Sequence, residues 1–495
     1  MKKYLLSVCA FLSAALLAAC GAGTAPQNAV TAPVTEDAPV TVEAVTEDPI
    51  KPSVEAVDAG GIEYHILSRV CGEYTFPYSE TIAEKESGET INDAVYKRNL
   101  AISEKYNIKV AGTENNDITG ITSRMIKAGD SDYDLVLPMT SDAFAAAVSG
   151  NFYEIHDVPY IDLGKPYWQS KMIDAMSIGG LCYLLPNDMN FSILDAVGTV
   201  YFNKPIALQE DIPDLYTTVK KGEWTYAKMA EYCRLITRDI DGDGVLGLND
   251  QYGLDCSSFA WQPLYYGTDS MLINKDKDDL PVLSWADEKN ADRITSIIKM
   301  LNDDSQTILI NRYSAQVSNL GDETVKIFKE DRALFWIEVM YGVPQLRSMN
   351  SDFGLLPMPK FDENQENYAS YVHLNHSSST CIPITNTDLD LTGRILEDMA
   401  YESYITIRPA FYDVMLKGKG TRDNESGEML DIIYSNINID LTLVMNRSGL
   451  TIDDTLRDLI NKNNTNLIST FEKKTAANES KIQKNVESIL TLHNS

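Results

Sequence analysis

Signatures of catalysis are scarce in this chain. It has no Gly-x-Ser-x-Gly elbow and no His-Glu-x-x-His pair, and only five histidines. Those gaps argue against an elbow-type serine hydrolase and a zinc metalloprotease. No Cys-x-x-Cys occurs. Of seven cysteines, Cys9 and Cys20 lie in the first twenty residues, leaving Cys71, Cys182, Cys233, Cys256 and Cys381. An odd, widely spaced set is neither a disulfide framework nor a zinc site, so each is expected as a small buried apolar residue. Basic residues are few, 42 against 72 acidic, for a net charge of -30. Nucleic-acid phosphates would be repelled, which argues against that partner. Beyond the N-terminus no apolar run approaches membrane-spanning length.

The N-terminus holds what is most informative. Lys2 and Lys3 precede an apolar run from Tyr4 to Ala19, and Leu17-Ala18-Ala19 leads directly into Cys20. The run is about 16 residues, short of the ~20 of an ordinary spanning helix. A basic start, a short apolar stretch and small residues make an export signal. A cysteine directly after them is the lipoprotein variant: its thiol takes a thioether-linked diacylglycerol, and cleavage leaves it as the new N-terminus. Residues 1–20 are therefore expected to be a lipoprotein signal, with Cys20 holding the protein by lipid on the extracytoplasmic face of a bacterial cell membrane. Residues 21–60 are rich in Ala, Pro, Thr, Val and Glu, with Val34-Thr35-Glu36-Asp37 repeated as Val45-Thr46-Glu47-Asp48. Such a segment has little to bury and reads as a tether.

The body opens on a strand-like alternation from Ile62 to Leu67. A helical face of Ile91, Val95, Ile102 and Tyr106 follows, with Asn107 as its stop, then a strand at Ile108–Val110, a helix from Ile118 to Ala128 and a buried strand at Asp134–Leu137. Strand, helix, strand, helix, strand with short links predicts a parallel, doubly wound α/β unit. Ligands of such sheets bind at the carboxyl ends of strands, so the loops after Leu67 and Leu137 become candidates, with Glu73 and Tyr74, and Thr140, Ser141 and Asp142. Strand-like runs at 180–185 and 197–202 flank Asp188 and Asn190. A second α/β pattern includes a helix capped by Thr225, with Tyr226, Met229, Cys233 and Ile236 in register, and apolar strands at 333–337 and from Phe353. The chain ends in a helix with Ile482, Val486 and Ile489 on its core face.

Asp239-Ile240-Asp241-Gly242-Asp243-Gly244, with Asp250 at the twelfth position, has the spacing of an EF-hand calcium loop. Asp239, Asp241, Asp243 and Asp250 would supply carboxylate oxygens and Val245 its carbonyl to a structural calcium ion. Two features pull the other way, toward an acidic turn without metal: strand or turn character after the loop, and Asp in place of the usual Glu. The same stretch matches Gly-x-Gly-x-x-Gly, but a helix precedes it and three aspartates would repel a pyrophosphate. His373 and His376 lie three apart in a run that reads as extended, as polar lining rather than a metal pair. Among 26 tyrosines and other aromatics, Phe259 to Tyr266 is the densest cluster. With 72 acidic residues, no glycosidase carboxylate pair can be picked out by inspection.

Gly222-Glu223-Trp224-Thr225, the Asp239 to Tyr252 loop, Asp352 to Pro359, Gln365-Glu366-Asn367-Tyr368, Cys381-Ile382-Pro383 and Arg422-Asp423-x-Glu425-Ser426-x-Glu428-Met429 together carry a resemblance. The body resembles the extracellular solute-binding proteins of carbohydrate ABC transporters, the group containing maltose-binding protein, in the long lipoprotein form of clostridia and their relatives. The resemblance implies an α/β fold of two lobes, periplasmic-binding-protein-like, with a ligand cleft between them and several hinge crossings. Residues 61–197 and 378–430 would form one lobe, and 203–372 and 435–495 the other. It places Ser257, Phe259 and Trp261 in an aromatic contact loop. It sets Glu338 to Met340 where maltose-binding protein has a Gly-Pro-Trp turn, so that stacking tryptophan is missing here. Trp261 and Phe259 are the expected stacking groups, and Asp188, Asn190 and Glu338 the expected hydroxyl partners. The function implied is a monomeric, non-enzymatic receptor that hands a sugar or oligosaccharide to an ABC permease. Two other classes stay open at this point: a surface-anchored carbohydrate-active enzyme, and a sensor or adhesin lipoprotein without a transport role.

Overall fold

The computed structural model describes residues 49–70, 78–416 and 424–493. Cys20, Glu73, Tyr74 and Cys71 lie outside the described residues. The chain from Pro49 to Ser495 is one compact unit, built around two sheets.

The first sheet contains β1 (Ile62–Ser68), β2 (Ile108–Glu114) and β3 (Leu135–Leu137), in the order β2-β1-β3 and all parallel. Its first crossover is the helix Thr90–Tyr106, which buries Ile91, Val95, Ile102 and Tyr106. The Glu89 carboxylate caps its start by accepting from the Ile91 and Asn92 N–H groups, and Asn107 ends it at φ 48°, the left-handed conformation asparagine tolerates. A second crossover helix, Ile118–Ala128, leads into β3. Beyond β3 the sheet is continued by an extended strip that returns much later in the chain. Val136 pairs antiparallel with Cys381, and Thr380 in turn with Leu185. The long helix Leu389–Leu416 packs along Thr90–Tyr106, where the Tyr106 hydroxyl donates to Asp398.

The second sheet draws on β4 (Gly198–Asn203) and β5 (Tyr252–Cys256). A short hairpin of β6 (Ile273–Lys275) and β7 (Pro281–Leu283) stands apart. The sheet is completed by β8 (Thr307–Leu309), β9 (Ala333–Val339) and β10 (Phe353–Leu356). Its order is β10-β4-β9-β5-β8, with β4 antiparallel to both neighbours and β5 parallel to β8 and β9. The helix Tyr226–Ile236 covers it, capped by the Thr225 side chain and burying Tyr226, Met229, Cys233 and Ile236. That helix lies so close to β5 that a Cβ on Gly253 would fall 2.1 Å from the Cys233 Cα, so only glycine fits there.

Three chain passages join the two lobes and run side by side. Val197 pairs antiparallel with Val372. The strands β11 (Ser370–Tyr371) and β12 (Ile437–Asn438) pair in parallel. The C-terminal helix Leu467–His493 touches both lobes. Near its start Phe471 stacks on Trp285 at 4.3 Å, and the Trp285 indole donates to the Thr475 hydroxyl at 2.9 Å. Near its end Ile489 is buried beside Phe144, Ala147 and Cys182 of the first lobe. Residues 435–495, expected in the second lobe, thus contribute side chains to both. Lys275 and Asp279 of the β6–β7 hairpin also reach the first lobe. Lys275 Nζ donates to the Ser177 hydroxyl at 2.9 Å, and Asp279 Oδ2 accepts from Ser177 at 2.7 Å and from the Gly180 N–H at 2.9 Å. Cys182, Cys233, Cys256 and Cys381 are free and buried. Among the described residues no helix is long and apolar enough to cross a membrane.

Candidate functional site

The carboxyl ends of β1 and β3 bring Arg69 and residues 138–142 to the seam between the lobes. Thr140 and Ser141, both fully buried, fasten the second loop to the middle crossing. The Thr140 N–H donates to the Ser377 carbonyl at 3.0 Å, and the Ser141 hydroxyl donates to Asn375 Oδ1 at 2.5 Å. Asp142, half-buried, faces Arg447 at 3.6 Å. Burial raises its carboxyl pKa, against the pull of Arg447 and Arg69. Arg69 donates from Nη1 to the His376 carbonyl at 2.9 Å.

From the second lobe, the turn after β5 is organised by Ser257, whose hydroxyl accepts from the Phe259 N–H at 3.3 Å. Phe259 meets the crossing segment in a column of flat groups. Its ring stacks on His373 at 4.7 Å and 21°, and His373 stacks on His376 at 4.1 Å and 11°. The Arg457 guanidinium lies 5.9 Å from the Phe259 centroid on the helix Ile452–Asn461. The run expected to be extended is therefore a turn: the His376 N–H donates to the His373 carbonyl at 2.8 Å, which folds the two rings together. Burial holds both imidazoles neutral. It pushes His373 well below the ordinary histidine range and, helped by Arg69, His376 down to about 4.

Trp261 is 1% exposed. Its indole N–H donates to Asp453 at 3.1 Å, beside Gln262, which donates to the same oxygen at 2.8 Å. Tyr371 closes this network by donating to Gln262 at 2.5 Å. At the end of β9, Glu338 accepts from the Val339 N–H at 2.9 Å, and burial pushes its carboxyl up to about 7. Met340 is buried, and its N–H donates to the Val197 carbonyl at 2.9 Å, tying β9 to the first crossing.

The structure thus gathers Ser141, Phe259 and Glu338 at or beside the seam with His373, Asn375 and His376. It does not bring Asp188 and Asn190 to a surface there. Asp188, 4% exposed, accepts from Arg408 at 2.7 Å and Gln169 at 2.9 Å. Asn190, 1% exposed, donates to Ser378 at 2.9 Å and accepts from Thr380 at 3.0 Å. Both fasten the first lobe internally. Sequence reasoning passed over Arg69, Arg447, Arg457 and Asn375. No spacing marks them, because they meet only through the fold.

The acidic loop stands apart from the seam. Asp239, Asp241 and Asp243 are exposed, and each offers a carboxylate oxygen within 4.8 Å of the others. Gly242 and Gly244, at φ 77° and 85°, let the chain curl around that point, and their N–H groups donate to Asp239 at 2.6 and 2.8 Å. These bonds lower the Asp239 pKa. Asp250 is buried and spends its oxygens on backbone N–H groups of Ile240 and Gly247, at 2.9 and 2.7 Å. Three carboxylates fit a hard cation, and Val245 follows them in an exposed position. Asp250 does not join the triad.

No family model matches the chain, and no curated protein matches it by sequence. Solved structures do. A cyclo/maltodextrin-binding protein complexed with maltotetraose is 12% identical, with a TM-score of 0.54 over 87% of this chain and 96% of that one. The UspC protein of M. tuberculosis is 12% identical, with a TM-score of 0.53 over 84% and 100%. An ABC substrate-binding protein from Listeria monocytogenes in complex with cycloalternan is 10% identical, with a TM-score of 0.50 over 88% and 99%. At this identity the likeness establishes architecture: the chain has the two-lobe α/β fold of these proteins, with the seam between its lobes where such a fold has its cleft.

Proposed function

We propose that the protein is a solute-binding receptor that captures a sugar or oligosaccharide between its lobes and delivers it to an ABC importer. The observation that carries this reading is the convergence of strand-end loops from both sheets on one crossing segment, His373 to Ser377, lined by flat rings, amides and guanidiniums. Sugars have apolar ring faces and hydroxyl edges, and such a lining addresses both. The fold likeness supports it, since two of the three structural neighbours above are named as complexes with a maltooligosaccharide and with cycloalternan. Capture works by closure of the lobes about the three crossings: a ligand that contacts both lobes stabilises the closed state by its differential affinity for it. The receptor acts without bond cleavage, as a monomer, held outside the cell membrane through lipid on Cys20, with residues 21–60 as its tether. Calcium in the Asp239–Asp243 loop is a structural ion remote from the ligand.

Thermal-shift screening of the full chain against a glycan panel, followed by mass spectrometry of the recovered hit, tests the reading. A stabilising glycan recovered intact supports it. A panel with no hit, or a shortened glycan, sinks it. Membrane fractionation of Cys20→Ala tests the anchor: the variant is expected in the soluble fraction, and unchanged membrane association would refute lipidation there.

A further inference from the structure

The start of the C-terminal helix packs on one side only. The helix Leu467–His493 turns Leu467, Phe471, Asn478 and Ile482 inward. Ile468, Glu472, Thr475, Ala476 and Glu479, at i, i+4, i+7, i+8 and i+11, share the face beside that one. Ile468 is left 70% exposed. Across from them stand Ala286 and Ala291, just before and within the first turn of the helix Glu288–Leu301. These small side chains leave a groove of about 440 Å³ between the two helices, lined also by Phe471. We propose that the groove is a docking site for a second protein, and that its occupant is an amphipathic helix with an apolar stripe flanked by Lys or Arg. None of the lining residues belongs to the seam, so the assignment does not rest on the sugar-binding reading.

The length and the charge of the groove select that occupant. From Ile468 to Glu479 the helix rises about 16 Å, three turns, which is the reach of a helix laid in a groove with anchors at i, i+4 and i+7. The two charged residues of the lining are Glu472 and Glu479, two turns apart, and among the described residues neither makes an ion pair. The basic residues nearby point elsewhere. At 100° per residue, Lys473, Lys474, Lys481 and Lys484 fall on other faces of the C-terminal helix. Lys289 and Arg293, two residues either side of Ala291, fall on the face of their helix opposite to it, and Arg293 is spent over the Phe361 ring at 4.5 Å. Asp287 and Glu288 come round on the Ala291 side. The rim of the groove is therefore acidic on both helices.

Other occupants fit less well. The Thr475 hydroxyl donates to the Phe471 carbonyl at 2.9 Å and accepts from the Trp285 indole at 2.9 Å, so the lining side chains offer apolar walls and acceptors. Phosphates and anionic headgroups find no donor there. The chain's own segment from Gly21 to Ile50 has no basic residue, and a second copy brings another net charge of -30; both are repelled.

Fluorescence anisotropy of the full chain tests the assignment. The probes are a panel of 15-residue helix-forming peptides with Leu, Ile, Val, Met or Phe at i, i+4, i+7 and i+11 and Lys or Arg on the flanks. Each is paired with its scramble and with a version carrying Glu for every Lys or Arg. At least one panel peptide is expected to bind tenfold or more tighter than its scramble and than its acidic version. Its binding should slow hydrogen exchange at residues 468–479. Ala476→Arg, at an exposed position, fills the groove and adds the wrong charge, and is expected to lose tenfold or more. A panel in which no peptide outbinds its scramble would overturn the docking site. Acidic versions that bind as tightly would overturn the role given to Glu472 and Glu479. Protection confined to other surfaces would remove the site from the groove. A dimer seen by light scattering and dissolved by Ala476→Arg would make a second copy the occupant and overturn the basic helix. The scramble comparison uses wild type alone, so a variant that folds poorly does not shield the proposal.

Discussion

Asp195 sits at the first crossing, where its backbone carbonyl accepts from the Tyr341 N–H at 3.0 Å. It is 2% exposed, and its Oδ1 has no hydrogen-bond partner among the described residues. Burial, with Glu80 nearby as the second cause, pushes its carboxyl from 3.8 to about 7. In the unfolded chain the group ionises near its ordinary value. Between those two values the folded state therefore holds a proton that the unfolded state has released, and stability falls as pH rises through that window. Each unit is 1.36 kcal/mol, so the penalty reaches about 4 kcal/mol at pH 7 and about 2 kcal/mol at pH 5, as upper bounds. Asp195→Asn keeps the shape and removes the ionisation, but it buries an amide that needs partners, at about 1–3 kcal/mol. We expect the variant to be about 1–3 kcal/mol more stable than wild type at pH 7, with that difference shrinking by about 2 kcal/mol at pH 5. Urea unfolding of both proteins at half-unit steps from pH 5 to 8 measures it. A difference that stays constant across that range would refute the argument, because it would show that Asp195 does not titrate there.

Trp261→Ala should cost about 3–5 kcal/mol, because the indole is buried and hydrogen-bonded to Asp453. A variant with wild-type urea midpoint would show that the side chain is not core. Calcium, if held by Asp239, Asp241 and Asp243, adds about 2.7 kcal/mol at 100 times its dissociation constant, so chelation should lower the melting temperature and Asp241→Asn should abolish that response. An unmoved melting curve would make the loop an ordinary turn. Gly179→Ala should destabilise by about 1–2 kcal/mol from its left-handed conformation alone, at φ 60°, and more because the new Cβ would fall 2.9 Å from Leu490. An unchanged midpoint would show that the end of the C-terminal helix does not press on the first lobe.

What could be read in advance was local. The 3.6-residue pattern of Ile91, Val95, Ile102 and Tyr106 with Asn107 behind it predicts both the face and the end of a helix, and the helix spans Thr90–Tyr106. Thr225 predicts a cap for the same kind of reason, a side-chain oxygen ahead of an apolar period, and it accepts from the Lys228 N–H. The seam is different. Arg69, Asp142, Phe259, His373, Arg447 and Arg457 come from six segments, and no two of them stand at a telling spacing in the sequence. The turn at His373–His376 was missed because alternating polar and apolar residues suit a strand as well as a turn, and the tertiary contact with Phe259 and Arg69 decides between them. Trp261 illustrates the converse. An aromatic in a strand-end loop reads as a ligand platform, but the following helix Trp261–Gly267 turns it inward. The reach of the last helix across both lobes is likewise invisible in Ile482 and Ile489, which mark a buried face without naming what buries it.

The central claim is that a saccharide is held between the lobes against the middle crossing. Hydrogen–deuterium exchange of the full chain, with and without the tightest-binding saccharide, tests it most directly. The account predicts slowed exchange at residues 373–377, at Ser257–Phe259 and around Arg457, with the Asp239–Asp250 loop unaffected. Protection confined to surfaces away from those segments, or none at saturating ligand, would contradict it.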